Sequence, residues 1–130
     1  MQLLRVLVID DESVICDACD LVLSEKGHTV ILRNNGRTGL DAIREGTYDI
    51  LLLDMKLPDI DGMDILKVVQ EEKPELCTIV MTGYSSISNA VQAMRQGADN
   101  YLAKPFTEDE LLQAIEESYA TRSHAHTKQK

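Results

Sequence analysis

Short, almost uninterrupted apolar runs alternate along this chain with stretches whose apolar residues recur every three or four positions, and the alternation repeats five times. The runs have strand length and the periodic stretches helix length. They predict strands over residues 4–9, 29–33, 50–53, 78–81 and 100–103, and helices over 13–25, 37–45, 62–72, 86–96 and 107–119. Gly27, Gly46 and Gly97 follow three of the helices, where a left-handed residue closes the last turn. Thr107 precedes Glu108, Asp109 and Glu110, a hydroxyl cap followed by acids that complement a helix dipole. Alternation of this kind predicts an α/β fold, a parallel sheet covered by helices on both faces.

The hydrophobicity of each run predicts its place in the sheet. Runs 1, 3 and 4 are nearly all apolar and belong in the middle, whereas Thr-Val-Ile-Leu-Arg and Asn-Tyr-Leu-Ala are mixed and belong at the edges. The result is a doubly wound five-stranded parallel sheet in the flavodoxin-like order 2-1-3-4-5, with its topological switch point between strands 1 and 3. Ligands bind outside the carboxyl ends of strands at such a point. Asp10 and Asp11 close the first run there, and Asp54 closes the third. Like charges about 5 Å apart repel by roughly 3 kcal/mol per pair at an effective dielectric near 20. Such a cluster calls for a cation, and an all-oxygen ligand set without nearby His or Cys suits Mg²⁺.

Two further strand ends carry chemistry: Thr82 after the fourth run and Lys104 after the fifth. Acids, a hydroxyl and an ammonium around one cleft can hold a phosphoryl group on a carboxylate. The carboxylate is the nucleophile, and phosphoryl transfer is promoted chiefly by positioning and by metal and lysine charge. Singly, a strand-end Asp is usually a turn or cap residue and a Lys a solvated charge; five such residues at one sheet edge are a different matter.

Composition narrows the function classes. The 130 residues suit one domain. There are 22 acids against 13 bases, a net charge of −9, and residues 1–120 hold 22 acids against 10 bases, a balance of −12. No basic face is available for nucleic acid. The apolar runs are too short for a membrane span, and acids at position 10 come too early for a signal peptide, so the expected location is cytoplasmic. Cys16 and Cys19 form a Cys-x-x-Cys, but Val14, Ile15, Ala18, Leu21, Val22 and Glu25 follow helical spacing around them. The cysteines are then small or flanking helix positions rather than a redox pair. Cys77 leads into a strand as a small hydrophobe. Residues 121–130 are polar and lack periodicity, a tail or the start of a linker in which His124 and His126 are solvated.

The segments Val8-Ile9-Asp10-Asp11-Glu12, Leu53-Asp54-Met55-Lys56-Leu57-Pro58-Asp59-Ile60-Asp61-Gly62, Met81-Thr82-Gly83-Tyr84 and Tyr101-Leu102-Ala103-Lys104-Pro105-Phe106 occur in that order. In this the chain resembles the receiver domain of two-component response regulators, over about residues 3–120. The resemblance implies that Asp54 accepts a phosphoryl group from a sensor histidine kinase. It further implies that Asp11, Asp54 and the Lys56 backbone carbonyl bind Mg²⁺, with Asp10 acting through a metal-bound water. Lys104 would contact the phosphoryl group, and Thr82 with Tyr101 would form a switch pair that alters the helix 4, strand 5 and helix 5 face, as a homodimer contact or output surface. Glu12, in a first helical turn, is accounted for by the dipole. A cis Lys104–Pro105 bond is expected, because Lys104 must point back into the cleft.

Gly83-Tyr84-Ser85-Ser86, Ala90-Val91-Gln92-Ala93-Met94 and Gly97-Ala98-Asp99 look most like receivers of activators that work with sigma-54 polymerase. The implied partners are then an output domain or that polymerase machinery. The alternative is a stand-alone phosphotransfer shuttle. Neither acts as an enzyme on an external substrate. An FMN-binding flavodoxin shares the architecture, but Asp-Asp-Glu follows strand 1 where a phosphate-cradling loop would stand. A phosphohydrolase would need a cap insertion to enclose its substrate.

Overall fold

A computed structural model describes residues 2–83 and 87–128, apart from the side chains of residue 87 and of 123–128. Five strands, β1 (Arg5–Ile9), β2 (Thr29–Arg33), β3 (Ile50–Asp54), β4 (Cys77–Thr82) and β5 (Asn100–Ala103), alternate with five helices. These are α1 (Ser13–Glu25), α2 (Gly36–Glu45), α3 (Gly62–Glu72), α4 (Ile87–Gln96) and α5 (Glu108–Lys128). All strand pairs are parallel, in the order β2-β1-β3-β4-β5. The order and the edge positions of β2 and β5 agree with the hydrophobicity of the runs. The expected start of α4 at Ser86 lies outside the described residues.

Because strand side chains alternate between faces, the sheet divides the core in two. Val6, Val8, Leu52, Ile79 and Met81 pack against α1 and α5, through Cys16, Cys19, Leu23, Leu111 and Ile115. Leu7, Ile9, Leu51, Leu53 and Val80 pack against the helices of the other face, through Ile43, Ile65, Leu66, Val69 and Ala93. Every residue of β3 and β4 is buried. At roughly 1.5–3 kcal/mol for each large aliphatic side chain removed from water, these two layers dominate the stabilisation of the fold.

Three local expectations need correction. The buried face of α1 is Cys16, Cys19 and Leu23, so the cysteines are core residues, while Val14 and Leu21 are 75% and 64% exposed. Periodicity alone could not choose, because two stripes on opposite sides of this helix, Val14 with Ala18 and Leu21 and Cys16 with Cys19 and Leu23, follow the same spacing. Gly27 and Gly97 have the expected positive φ, +91° and +118°, but Gly46 is extended at φ −121°. There a Cβ would meet the Tyr48 hydroxyl at 2.7 Å, so close approach rather than backbone conformation calls for glycine. Helix α5 continues past residue 119 to Lys128. Arg122 Nη1 lies 2.8 and 2.9 Å from the two Asp99 oxygens, and Asp99 Oδ2 also accepts the Thr78 N–H at 2.8 Å. Arg122 thereby ties the helix to the turn before β5.

Thr107 caps α5 as expected. Its hydroxyl accepts the Glu110 N–H at 3.1 Å and Glu110 Oε1 accepts the Thr107 N–H at 2.9 Å, a reciprocal capping box.

His28 provides a pH test of the fold. It is 7% exposed, and its Nδ1 accepts the Leu4 N–H at 3.0 Å, joining the entry of β2 to the entry of β1. Burial lowers its pKa. The unfolded chain therefore binds this proton more readily, so the stabilisation is fully present above about pH 6.5 and is lost as pH falls from there toward the folded value. Urea unfolding between pH 8 and 5.5 is expected to show this decline in the wild type and a shallower one in His28→Gln, whose amide oxygen can accept the same N–H. Equal slopes would remove His28 from the account.

Candidate functional site

The register gathers the strand ends. Ile9 pairs with Leu53, Asp54 with Met81 and Thr82 with Ala103, which places Asp10, Asp54, Thr82 and Lys104 along one edge of the sheet. Asp10 is fully buried, and Asp54 and Thr82 are 5% and 4% exposed. A cavity of about 280 Å³ opens over Asp54 and Thr82, lined also by Asp11, Glu12, Gly83 and Lys104. The Lys104–Pro105 bond is cis, as expected.

Lys104 is the hub. Its Nζ lies 2.7 Å from Asp10 Oδ2, 2.9 Å from Glu12 Oε1 and 3.5 Å from Asp54 Oδ2. The Asp10 contact is the shortest of the three, and the ammonium is what neutralises this buried oxygen. Asp10 Oδ1 accepts the Glu12 N–H at 2.9 Å, and Asp54 Oδ1 accepts the Lys56 N–H at 3.1 Å.

Burial pushes the Asp54 carboxyl up to about 7; the Lys56 N–H draws it back, the Asp10 charge raises it and Lys104 lowers it. Burial also opposes the charge on Lys104, but the contacts to Asp10 and Glu12 outweigh it and its pKa is raised. Cys16, whose Sγ donates to the Asp10 carbonyl at 3.3 Å, is held up at about 11, first by burial and then by Asp10; burial holds Cys19 up at about 12. These thiols stay protonated as members of the core.

The sequence placed Asp10, Asp11 and Asp54 together, and the structure brings in a different third acid. Carboxylate oxygens of Asp10, Glu12 and Asp54 lie within 4.8 Å of one another. Asp11 is exposed and stands on the cavity rim, outside that group. Glu12 is the N-cap residue of α1 but makes no side-chain cap bond; its carboxylate turns to Lys104 instead of the helix end. The available signal was its place directly after two acids on a strand tip.

These residues fit a hard divalent cation. Three carboxylates face one ammonium, the buried Asp10 Oδ2 is met by that ammonium, and all donors are oxygen.

Tyr101, on edge strand β5 opposite Val80, is 51% exposed. Val91 and Met94 of the adjoining α4 are 45% and 40% exposed, so they are not ordinary core residues. The resemblance implies that Tyr101 is one half of a switch pair; in this structure its ring is half exposed. His124 and His126 lie on α5, with side chains outside the described set. Among the described residues, no helix is long and apolar enough to cross a membrane.

Comparison with known proteins agrees with this geometry. The family model described as response regulator receiver domain matches residues 6–116. The transcriptional regulatory protein ZraR of Escherichia coli (strain K12) is 35% identical over 94% of this chain and 27% of its own length. DltR, a transcriptional regulatory protein of Streptococcus agalactiae, is 41% identical over 86% of this chain and 50% of its own. The chain thus spans about a quarter to a half of the curated relatives it matches. Among solved structures, NtrX from Brucella abortus superposes with a TM-score of 0.92 at 30% identity, over 97% of this chain and 29% of that one. A response regulator receiver domain protein from Clostridium thermocellum superposes at 0.87 with 34% identity, over 95% and 99%. With the strand order, the acids at the strand tips and a family match over most of its length, this chain belongs to the response regulator receiver domains.

Proposed function

We propose that this chain is a phosphoacceptor switch, in which a sensor histidine kinase transfers a phosphoryl group to Asp54. The observation that carries the reading is the Asp54 carboxylate itself, buried at the end of β3, with Lys104 Nζ 3.5 Å away and Thr82 lining the same cavity. An Asp54 oxygen forms the new bond to phosphorus as the bond from phosphorus to the kinase histidine breaks. Lys104 moves from its Asp10 and Glu12 partners toward the transferred oxygens, and Thr82 donates its hydroxyl to them. Asp11, Asp54 and the Lys56 carbonyl, with Asp10 through a bound water, would hold a Mg²⁺ ion, which would supply positive charge for the phosphoryl oxygens. Asp11, exposed on the rim in this structure, would have to turn inward to join that set.

The domain comprises residues 1–120 and the part of α5 that Arg122 holds to Asp99, acts in the cytoplasm, turns over no external substrate and binds no nucleic acid directly. Its output is transcription, through a further domain or the sigma-54 polymerase machinery; the transcriptional regulators among its relatives favour this over a stand-alone shuttle. Incubation with acetyl phosphate and Mg²⁺ is expected to add one phosphoryl group by intact mass, mapped to Asp54 and absent with a chelator. A wild-type protein that takes up none sinks the reading.

Filling of the space beside Thr82 by Tyr101 is the proposed output step. Burying a ring is worth roughly 1.5–3 kcal/mol, comparable to what a few phosphoryl contacts can bias. Tyr101→Ala is therefore expected to accept phosphate at a near-normal rate yet lose phosphorylation-dependent self-association, measured by sedimentation with and without beryllofluoride. Loss of phosphorylation instead would assign the ring to the chemistry.

A further inference from the structure

The loop that follows Asp54 is anchored at its tip to a helix that carries none of the residues just described. Asp59 Oδ1 accepts the Gly36 N–H at 2.8 Å, and Oδ2 accepts the Arg37 N–H at 2.9 Å. These are the first two amides of α2, and helix geometry leaves both without an internal partner. The side chain of Asn35, the N-cap residue, takes only the third, from Thr38 at 2.8 Å. A carboxylate 23 positions further along the chain completes the helix end, where the dipole favours negative charge. The two N–H bonds hold the Asp59 carboxyl below its ordinary range.

Packing supports the same contact. A Cβ on Gly36 would lie 2.8 Å from Ile60 Cβ and 3.1 Å from Asp59 Oδ1, so the loop tip sits on α2 at a position that only glycine leaves open. The loop is also closed at its base. Gly62 donates its N–H to the Met55 carbonyl at 3.2 Å, Lys56 and Asp61 form an antiparallel bridge, and Asp61 Oδ1 caps α3 through the Met63 N–H at 2.9 Å. Between base and tip stands Lys56, whose N–H reaches Asp54. A short loop bonded to itself and pinned at its tip leaves the Lys56 backbone little freedom.

We propose that Asp59 is a positioning residue for the phosphoacceptor site, seating the loop on α2 so that the Lys56 backbone is held against Asp54. Neither Asp59 nor α2 touches the reacting group. Because part of this role rests on the assignment of the Lys56 carbonyl to Mg²⁺, it is tested both with and without the cation.

Asp59→Ala is expected to raise the Mg²⁺ dissociation constant about tenfold by titration calorimetry, the lower end of what outer-shell partners of metal ligands contribute. Asn35→Ala is the control, because it uncaps the same helix without touching the loop; its constant is expected to stay within about twofold of wild type at a comparable loss of urea stability. Without cation, the Lys56 amide resonance is expected to move in Asp59→Ala and to stay in place in Asn35→Ala. Where Asp59→Ala fails to fold, Asp59→Asn, which keeps one acceptor oxygen, serves for both measurements with smaller shifts in the same direction. Equal constants and an unmoved Lys56 resonance in the Asp59 variant, or equal changes in both variants, overturn the proposal. A wild-type protein that binds no Mg²⁺ overturns the cation assignment instead, and the Lys56 resonance then decides the role of Asp59 by itself.

Discussion

Asp54→Asn is expected to abolish phosphorylation and, in the same protein, to stabilise the cation-free fold. The first effect follows from the nucleophile: an amide offers phosphorus no carboxylate oxygen, so acetyl phosphate should leave the intact mass unchanged. The second follows from burial. Asp54 is 5% exposed, and its pKa is pushed up to about 7, chiefly by loss of water. A group whose folded pKa is raised costs stability when ionised, fully above the folded value and not at all below the unfolded one. Replacing it with a neutral isostere should gain on the order of 2 kcal/mol at pH 8, less than the whole shift at 1.36 kcal/mol per unit, because the cavity above Asp54 lets water reach its charge. The gain should fade as pH falls from 7 toward 4, and Mg²⁺ should stabilise the wild type but not the variant. Urea unfolding at pH 8 and pH 5, each with and without Mg²⁺, measures all of this. A full phosphoryl signal in Asp54→Asn would remove the acceptor assignment; a loss of stability at pH 8 would mean that Lys104 already compensates the charge.

Lys104→Met is expected to work in the opposite direction, destabilising the cation-free protein by about 3 kcal/mol at pH 8, the scale of a buried ion pair deprived of one partner. The ammonium lies 12% exposed between Asp10, with no exposure, and Asp54; Glu12, at 60%, can turn to water, but the other two cannot. The loss should shrink at lower pH, where Asp54 takes up a proton. It should also shrink with Mg²⁺, which binds the folded state and stabilises it by mass action. Thermal unfolding should therefore show a larger Mg²⁺-induced shift in Lys104→Met than in the wild type. Equal shifts, or unchanged stability without cation, would mean that Lys104 is held for its later contact with phosphate and not for neutralising the acids.

These paired effects describe a site that is electrostatically unsatisfied at rest. Three acids crowd one lysine, so one ammonium must serve three carboxylates, and Asp54 resists ionisation. Protonation of an acid, a cation or removal of a carboxylate charge each relieves it, which is why a substitution fatal to phosphorylation can improve the fold. Perturbed acids in a cleft are the usual mark of a functional site.

The chain by itself determined the sheet. Continuous apolar runs have no polar face to give to water, so β1, β3 and β4 had to be central and the strand order followed; once the order held, the acids, Thr82 and Lys104 at the strand ends had to meet at the switch point. Side-chain direction was decided only by tertiary structure. Whether α1 buries Val14 and Leu21 or Cys16 and Cys19 depends on how the helix is rolled against the sheet, and roll is chosen by packing against β1 and α5, not by period. The same holds one residue before that helix: at adjacent positions of a strand-to-helix turn, Asp11 faces the rim and Glu12 the lysine, although their charges are alike. Gly46 shows the limit again, since the reason for glycine there is a tyrosine ring two residues on. The bond from Asp59 to α2 had no sequence signal, because its acceptors and donors lie on elements that become neighbours only when the chain is folded. Periodicity reports how residues repeat along one element, and a site consists of what different elements bring to one place.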